Sequence, residues 1–302
     1  GNNTAVGFES LCANTTASNN TSVGYRAMDS NTTGTSNVAL GKDTMRSTTT
    51  QSENTAIGTN ALNGNTGNCN TGVGSSALEN VTGDLNTAVG RRALYLNTSG
   101  IRNVAIGAFV LDANTTGSYN VGVGYNALSN VTTGGCNLGL GLDAGTSASP
   151  SGNITTGSNI VVLGDNNVTD LYCADTTISS SDQRDKTDIK DFTHGLDFIT
   201  KLNPKTYVWD KRSWYVTDDN QSILDVTPDG THKKDRVNVG FMAQDVLALE
   251  NEIGFGNNKN DMLFTSINED ETAYGLKYER LVPVLVNAIK ELKKEIDELK
   301  NK

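Results

Sequence analysis

Aromatic side chains make up only 6% of the 302 residues, and hydrophobic residues of all kinds 36%, too few large side chains for one ordinary core. Basic residues are scarce too. With 24 Lys and Arg against 34 Asp and Glu, the formal net charge is -10, which excludes the basic footprint of a nucleic-acid or anionic-membrane binder. No apolar run approaches the roughly 18 to 20 residues that cross a bilayer, so membrane insertion is not expected. His194 and His232 are the only histidines and have no cysteines nearby, which argues against a metal site. The four cysteines, Cys12, Cys69, Cys136 and Cys173, are scattered, and are expected to be small buried fillers rather than a disulfide frame. The Gly1-Asn2-Asn3 start resembles neither a signal peptide nor an initiation site, so the chain reads as part of a longer protein.

What is present divides sharply. Residues 1–180 carry 6 basic and 11 acidic side chains, whereas residues 181–302 carry 18 and 23, along with both tryptophans and both histidines. Within the first part a motif of Asn, any residue, a small residue, an aliphatic and Gly recurs every 16 to 17 residues, starting at Asn3, Asn20, Asn37, Asn54, Asn70, Asn86, Asn103, Asn120 and Asn137. A degenerate copy spans Asn159 to Gly164. Most copies continue with a second short piece, as in Ala61-Leu62, Ala77-Leu78 and Ala127-Leu128, and then a polar stretch such as Asn31-Thr32-Thr33-Gly34. Each repeat therefore predicts two short strands and two tight turns, with glycine supplying the corner and asparagine able to stack into a hydrogen-bonded ladder. One coil buries too little to offset its ordering entropy, so coils must stack on one another and on neighbouring chains.

This pattern, over about residues 2 to 164, resembles the head repeats of trimeric adhesins and the shafts of phage tail fibres. The resemblance implies a parallel three-chain β-solenoid or β-roll. From Thr146 the period breaks, with Pro150 and many Ser, Thr and Asn residues, giving a connector before Ser181. The expected domains are a fibre shaft over 1–164, a connector and cleavage region over 165–181, and an α+β domain over 182–302.

The last domain opens with Ser181-Asp182-Gln183-Arg184-Asp185-Lys186-Thr187-Asp188-Ile189. This resembles the opening motif of the intramolecular chaperone and auto-processing domain of phage tail spikes and endosialidases, with Asp185 standing where a leucine-like residue is usual. Three further stretches follow in the family's order. Leu196 to Pro204 with Tyr207-Val208-Trp209 resembles its helix-then-strand segment, Leu196, Ile199 and Leu202 lying at helical spacing. Gly240-Phe241-Met242-Ala243-Gln244-Asp245-Val246 matches its Gly-Phe-aliphatic-Ala-Gln-acid pattern, and Tyr274 to Leu299 resembles its terminal tyrosine-led helix.

The resemblance assigns Ser181 as nucleophile and Lys186 as base of a serine-lysine dyad that cuts the chain's own backbone at Ser181-Asp182. Such a reaction is a single-turnover acyl transfer without a cofactor. It needs a neutral lysine, hence desolvation or a cationic neighbour, for which Arg184 or an adjacent subunit are the candidates. A serine hydroxyl reaches the preceding carbonyl more easily than its own, and Ser179-Ser180-Ser181 offers three registers.

Val282, Leu285, Ile289, Leu292, Ile296 and Leu299 follow an unbroken 3-4 spacing, the pattern of a coiled-coil seam. β-Branched residues at a with leucine at d lean towards two strands, but the bulk of the domain is expected to impose three. The alternative is an amphipathic helix lying on its own domain. Residues 211–236, with Asp218-Asp219-Asn220 and Pro228-Asp229-Gly230 as turn signals, are expected to form a hairpin-like arm; in the family such arms embrace the unfolded shaft.

Other signals carry little. Gly122-Val123-Gly124 and Gly139-Leu140-Gly141 lack the strand-loop-helix context of a phosphate loop, and the Asn31 and Asn97 sequons arise from the repeat's composition. No paired-carboxylate constellation in the repeats supports a glycan-degrading enzyme. The expectation is a homotrimeric virion component, assembled in the host cytoplasm, joined to upstream fibre proteins and attaching to a host receptor or glycan. A trimeric cell-surface adhesin without proteolysis is the alternative.

Overall fold

The computed structural model describes residues 1–172, 181–216 and 221–301. Cys173, Ser179, Ser180 and the Asp218-Asp219-Asn220 turn lie outside the described residues. Two compact units form, Gly1–Val168 and Thr169–Lys302.

In the first unit each Asn motif begins a strand of three residues. These are β1 (Thr4–Val6), β2 (Thr21–Val23), β3 (Val38–Leu40), β4 (Thr55–Ile57), β5 (Thr71–Val73), β6 (Thr87–Val89), β7 (Val104–Ile106), β8 (Val121–Val123), β9 (Leu138–Leu140) and β10 (Val161–Leu163). All ten stack in sequence order into one parallel sheet, with equivalent residues paired, as Ala56↔Gly72 and Ala88↔Ala105. The unit is a parallel β-solenoid.

Strand alternation sends the middle residue inward. That position is small because the space is already taken: a Cβ on Gly139 would meet Leu128 Cγ at 2.6 Å. The core is a thin row of Met28, Met45, Leu62, Leu78, Leu94, Leu111 and Leu128, all buried, flanked by the strand alanines. The first and third strand residues point out, leaving an exposed aliphatic row that includes Val6, Leu40, Ile57, Val89, Ile106, Leu140 and Leu163.

Two expectations are corrected here. The second piece of each repeat is not a strand. Leu62, Leu78, Leu94, Leu111 and Leu128 sit in left-handed backbone, with φ of 51 to 53°. That conformation costs about 1 to 2 kcal/mol for a non-glycine residue, whereas burying the side chain contributes about 1.5 to 3 kcal/mol. It also aims the N–H at the next coil, as in Leu62 N to Ala77 O at 3.0 Å, while left-handed Asn60 donates to Lys42 O of the previous coil at 3.1 Å. The described cysteines are not buried fillers either: Cys12 and Cys136 are exposed and Cys69 half-buried, and for Cys69 and Cys136 this is because the residue before a ladder asparagine faces outward.

The asparagines form the ladder. Asn70, Asn86, Asn103 and Asn120 are wholly buried. Each Oδ1 accepts the backbone N–H of the asparagine one coil on, as Asn86 N to Asn70 at 2.9 Å and Asn103 N to Asn86 at 3.0 Å. Each Nδ2 crosses the coil to a carbonyl, such as Asn86 to Gly100 O at 2.9 Å. The sequon residues Asn31 and Asn97 form a second buried row, donating to Gly34 O and Gly100 O. Corner glycines allow the coils to approach: Gly90 has φ of 138°, and a Cβ there would meet Gly107 O at 2.3 Å.

The second unit holds α1 (Leu196–Ile199), β11 (Lys205–Val208), β12 (Val237–Gly240), α2 (Ala243–Glu252), β13 (Thr265–Ile267), β14 (Tyr274–Leu276) and α3 (Leu281–Lys300). Strands β11 and β12 pair antiparallel, as do β13 and β14. Phe198, Val246, Phe264, Leu281 and Val284 make its core. The terminal helix starts later than expected, since Tyr274 begins a strand, and α1 ends before Leu202. The stretch expected as a hairpin arm links β11 to β12, and its described residues include the short 3-10 turns Arg212–Tyr215 and Ile223–Asp225.

Asn86→Ala should leave Asn103 N unpaired inside the solenoid and Gly100 O with Asn97 as its remaining side-chain donor, and cost about 1 to 3 kcal/mol. Thermal unfolding should show this as a lowered midpoint, against a change within about 0.5 kcal/mol for exposed Thr133→Ala; equal effects would refute the ladder's role.

Candidate active site

The two residues assigned to chemistry are five apart and would diverge in an extended chain. A single 3-10 turn, Gln183–Asp185, folds the chain back between them. Asp182 caps this turn, accepting from Arg184 N at 2.9 Å, and holds the Arg184 guanidinium at 3.0 Å through Nε and 2.5 Å through Nη2. With the loop closed, Lys186 Nζ lies 2.6 Å from Ser181 Oγ and 3.3 Å from Ser181 O. All of these residues are exposed.

The charge on Asp182 is stabilised first by its side-chain bonds to Arg184, which hold its carboxyl below the ordinary range. A lowered carboxyl pKa contributes stability above the unfolded value, about 3.9, which is lost only as pH falls through the folded value. The cap is therefore intact at neutral pH. Arg184 is committed to Asp182 and is not the cationic neighbour that would free the lysine. Ser181 and Lys186 are open to water, and among the described residues of one chain none supplies the desolvated surroundings such a dyad uses.

Beyond Lys186, residues 187–191 run exposed until Phe192 packs edge-on against Phe264, ring centroids 6.2 Å apart. The core behind this anchor depends on Glu250 of α2, which sequence reading missed. Its fully buried carboxylate accepts from the backbone of Leu263, from Phe264 N at 3.0 Å, and from Thr265 N at 3.1 Å and Oγ1 at 2.7 Å. One acidic side chain thus fixes the start of β13. Nothing local distinguishes Glu250 from Glu252, which lies exposed two residues on.

Residues 181–254 match the family described as chaperone of endosialidase. The match starts on Ser181 and ends just past α2, covering three of the four motifs read from the sequence; Tyr274 to Leu299 lies outside it. No curated protein and no solved structure matches the chain. A β-solenoid followed by a chaperone of endosialidase domain fits the shaft of a tail spike or fibre with its chaperone. Among the described residues no cluster of His, Cys, Asp and Glu could hold a metal, and no helix is long and apolar enough to cross a membrane.

Helix α3 carries the heptad pattern read from the sequence. It does lie on its own domain, but through Leu281, Val284 and Ala288, a different face. Val282, Leu285, Ile289, Leu292, Ile296 and Leu299 all remain exposed.

Glu250→Gln should cost roughly 2 to 3 kcal/mol, since it removes a charge-assisted acceptor and turns an amide NH2 against backbone donors. Urea unfolding followed by tryptophan fluorescence, which reports only on the second unit, checks this; an unchanged midpoint would show the clamp to be dispensable.

Proposed function

We propose that this chain is the shaft and C-terminal domain of a virion tail fibre or spike that serves host attachment. Its C-terminal domain trimerises the chain, assists folding of the shaft, and then releases itself by autoproteolysis at Ser181-Asp182. The observation that carries the reading is the 2.6 Å approach of Lys186 Nζ to Ser181 Oγ at the first residue of the family match.

In the reaction, the neutral Lys186 amine takes the Ser181 hydroxyl proton as Oγ attacks a backbone carbonyl carbon. An ester C–O bond forms, the amide C–N bond breaks, and the proton leaves with the departing amine; water then hydrolyses the ester. Attack on the preceding carbonyl passes through a five-membered ring, attack on its own carbonyl through a four-membered one. Cutting after Ser181 therefore calls for the hydroxyl of a neighbouring copy, and Lys186, 3.3 Å from Ser181 O, can polarise that carbonyl.

Two apolar rows that a lone chain leaves in water support assembly: the outer face of β1 to β10 and the α3 seam. Each aliphatic side chain covered there contributes about 1 kcal/mol or more. A second copy brings the same rows at the same spacing. Trimer contact would also cover the dyad, supplying the desolvation that one chain lacks.

Intact and native mass of wild type beside Ser181→Ala and Lys186→Ala test the chemistry. Wild type should yield two fragments, and both variants an uncut trimer; an uncut wild type would remove self-release from the reading. The released domain's mass also fixes the bond, since a start at Asp182 reports attack by a neighbour and a start at Ser181 attack on the preceding carbonyl.

Ile289→Asp places a carboxylate in the seam and should convert the trimer to monomer, with cleavage lost. A native mass unchanged from wild type would refute the seam.

A further inference from the structure

The C-terminal helix grips the peptide that leads to Ser181 and Lys186, at one place and from a distance in sequence. Helix α1 has no side-chain cap of its own, because Gly195 stands at its start. The missing acceptor comes from α3: Glu291 Oε2 accepts from Leu196 N at 2.7 Å. One turn earlier, Asn287 Nδ2 donates to Phe192 O at 2.6 Å and to His194 O at 3.3 Å. The fit excludes a larger residue at 195, since a Cβ on Gly195 would lie 2.5 Å from Glu291 Oε1 and 2.7 Å from Ala288 N. Asp197 stiffens the gripped loop, accepting from Gly195 N at 2.9 Å and pairing with His194 Nδ1 at 2.7 Å.

At about 100° per residue, α3 carries three neighbouring faces. Leu281, Val284 and Ala288 pack on the core, Leu285, Ile289 and Leu292 belong to the open seam, and Asn287 and Glu291 lie on the other side of the core face. From Phe192 the exposed tether back to Lys186 is six residues, at most about 20 Å when fully extended. The grip therefore keeps the dyad within about 20 Å of the helix level where the seam lies. Packed helices stand roughly 8 to 10 Å apart, so a dyad tethered there stays within reach of the adjacent copy.

We propose that Asn287 and Glu291 are positioning residues that couple assembly along α3 to self-release, by fixing where the tether bearing Ser181 and Lys186 leaves the helix. This rests on the self-release reading. Assembly needs only the seam; cleavage needs the seam and the grip. The two should separate by mutation.

The test uses the full chain. Glu291→Ala should keep the trimer's native mass while cleavage slows by at least tenfold. Glu291→Gln, whose amide oxygen can still accept from Leu196 N, should stay within about threefold of wild type. Gly195→Ala, whose Cβ would press on Glu291 Oε1 and Ala288 N and wedge α1 from α3 while both gripping side chains remain, should slow cleavage as Glu291→Ala does. In a Ser181→Ala background, which stays uncut, Glu291→Ala should also abolish hydrogen-exchange protection of the Leu196 amide. Wild-type cleavage rates in a trimeric Glu291→Ala would overturn the coupling, as would a Gln variant as slow as Ala. Loss of the trimer in Glu291→Ala would show a role in folding alone and also overturn it. An uncut wild type would instead defeat the self-release reading itself.

Discussion

The hydrogen bond from each coil's asparagine N–H to the Oδ1 of the asparagine one coil before is the constraint on which the shaft depends. Burying an amide is costly unless its donors and acceptors are met. Asn86 meets them with partners in both neighbouring coils, Asn70 and Asn103, and with Gly100 across the core. A coil out of register by one residue would leave these groups unpaired and turn the strand aliphatics inward, where Leu128 and its equivalents already fill the space. The ladder thereby fixes the register, the register fixes the thin core, and the thin core dictates alanine, serine or glycine in the middle of β1 to β9, with Val162 at the end of the stack in β10.

A core so narrow leaves much apolar surface outside. The aliphatics at the third strand position and the α3 heptad positions stay in water when the chain is alone, and both rows repeat at intervals that another copy reproduces. In the proposed function, further copies of the chain cover these rows. That is the physical case for a helper at its C-terminal end: bringing chains together before the shaft folds lowers the entropy cost of registering long, weakly cohesive repeats. In the proposed function the helper contributes nothing further once the coils have stacked, and its self-release would make folding hard to reverse.

Much of this was legible beforehand. The period and the asparagine ladder rest on local spacing, which sequence displays directly, whereas the pairing of Ser181 with Lys186 came from the family resemblance. The second piece of each repeat was misread as a strand because Ala-Leu in a short apolar run looks extended; only the stacked coils reward a leucine for adopting left-handed backbone. The cysteines were misplaced for a related reason, since whether Cys69 faces in or out depends on the parity of a turn, not on its hydrophobicity. Glu250 and Glu291 gave no signal, each being one acid among many on a helix.

The sequence by itself determined the solenoid and the heptad pattern of the last helix, because periodicity and motif spacing act over a few residues. Only the tertiary structure decided which face of α3 docks on its own domain, and that Glu291 caps a helix 95 residues earlier. Those outcomes depend on which donors and acceptors packing brings together, and a linear pattern does not record such meetings.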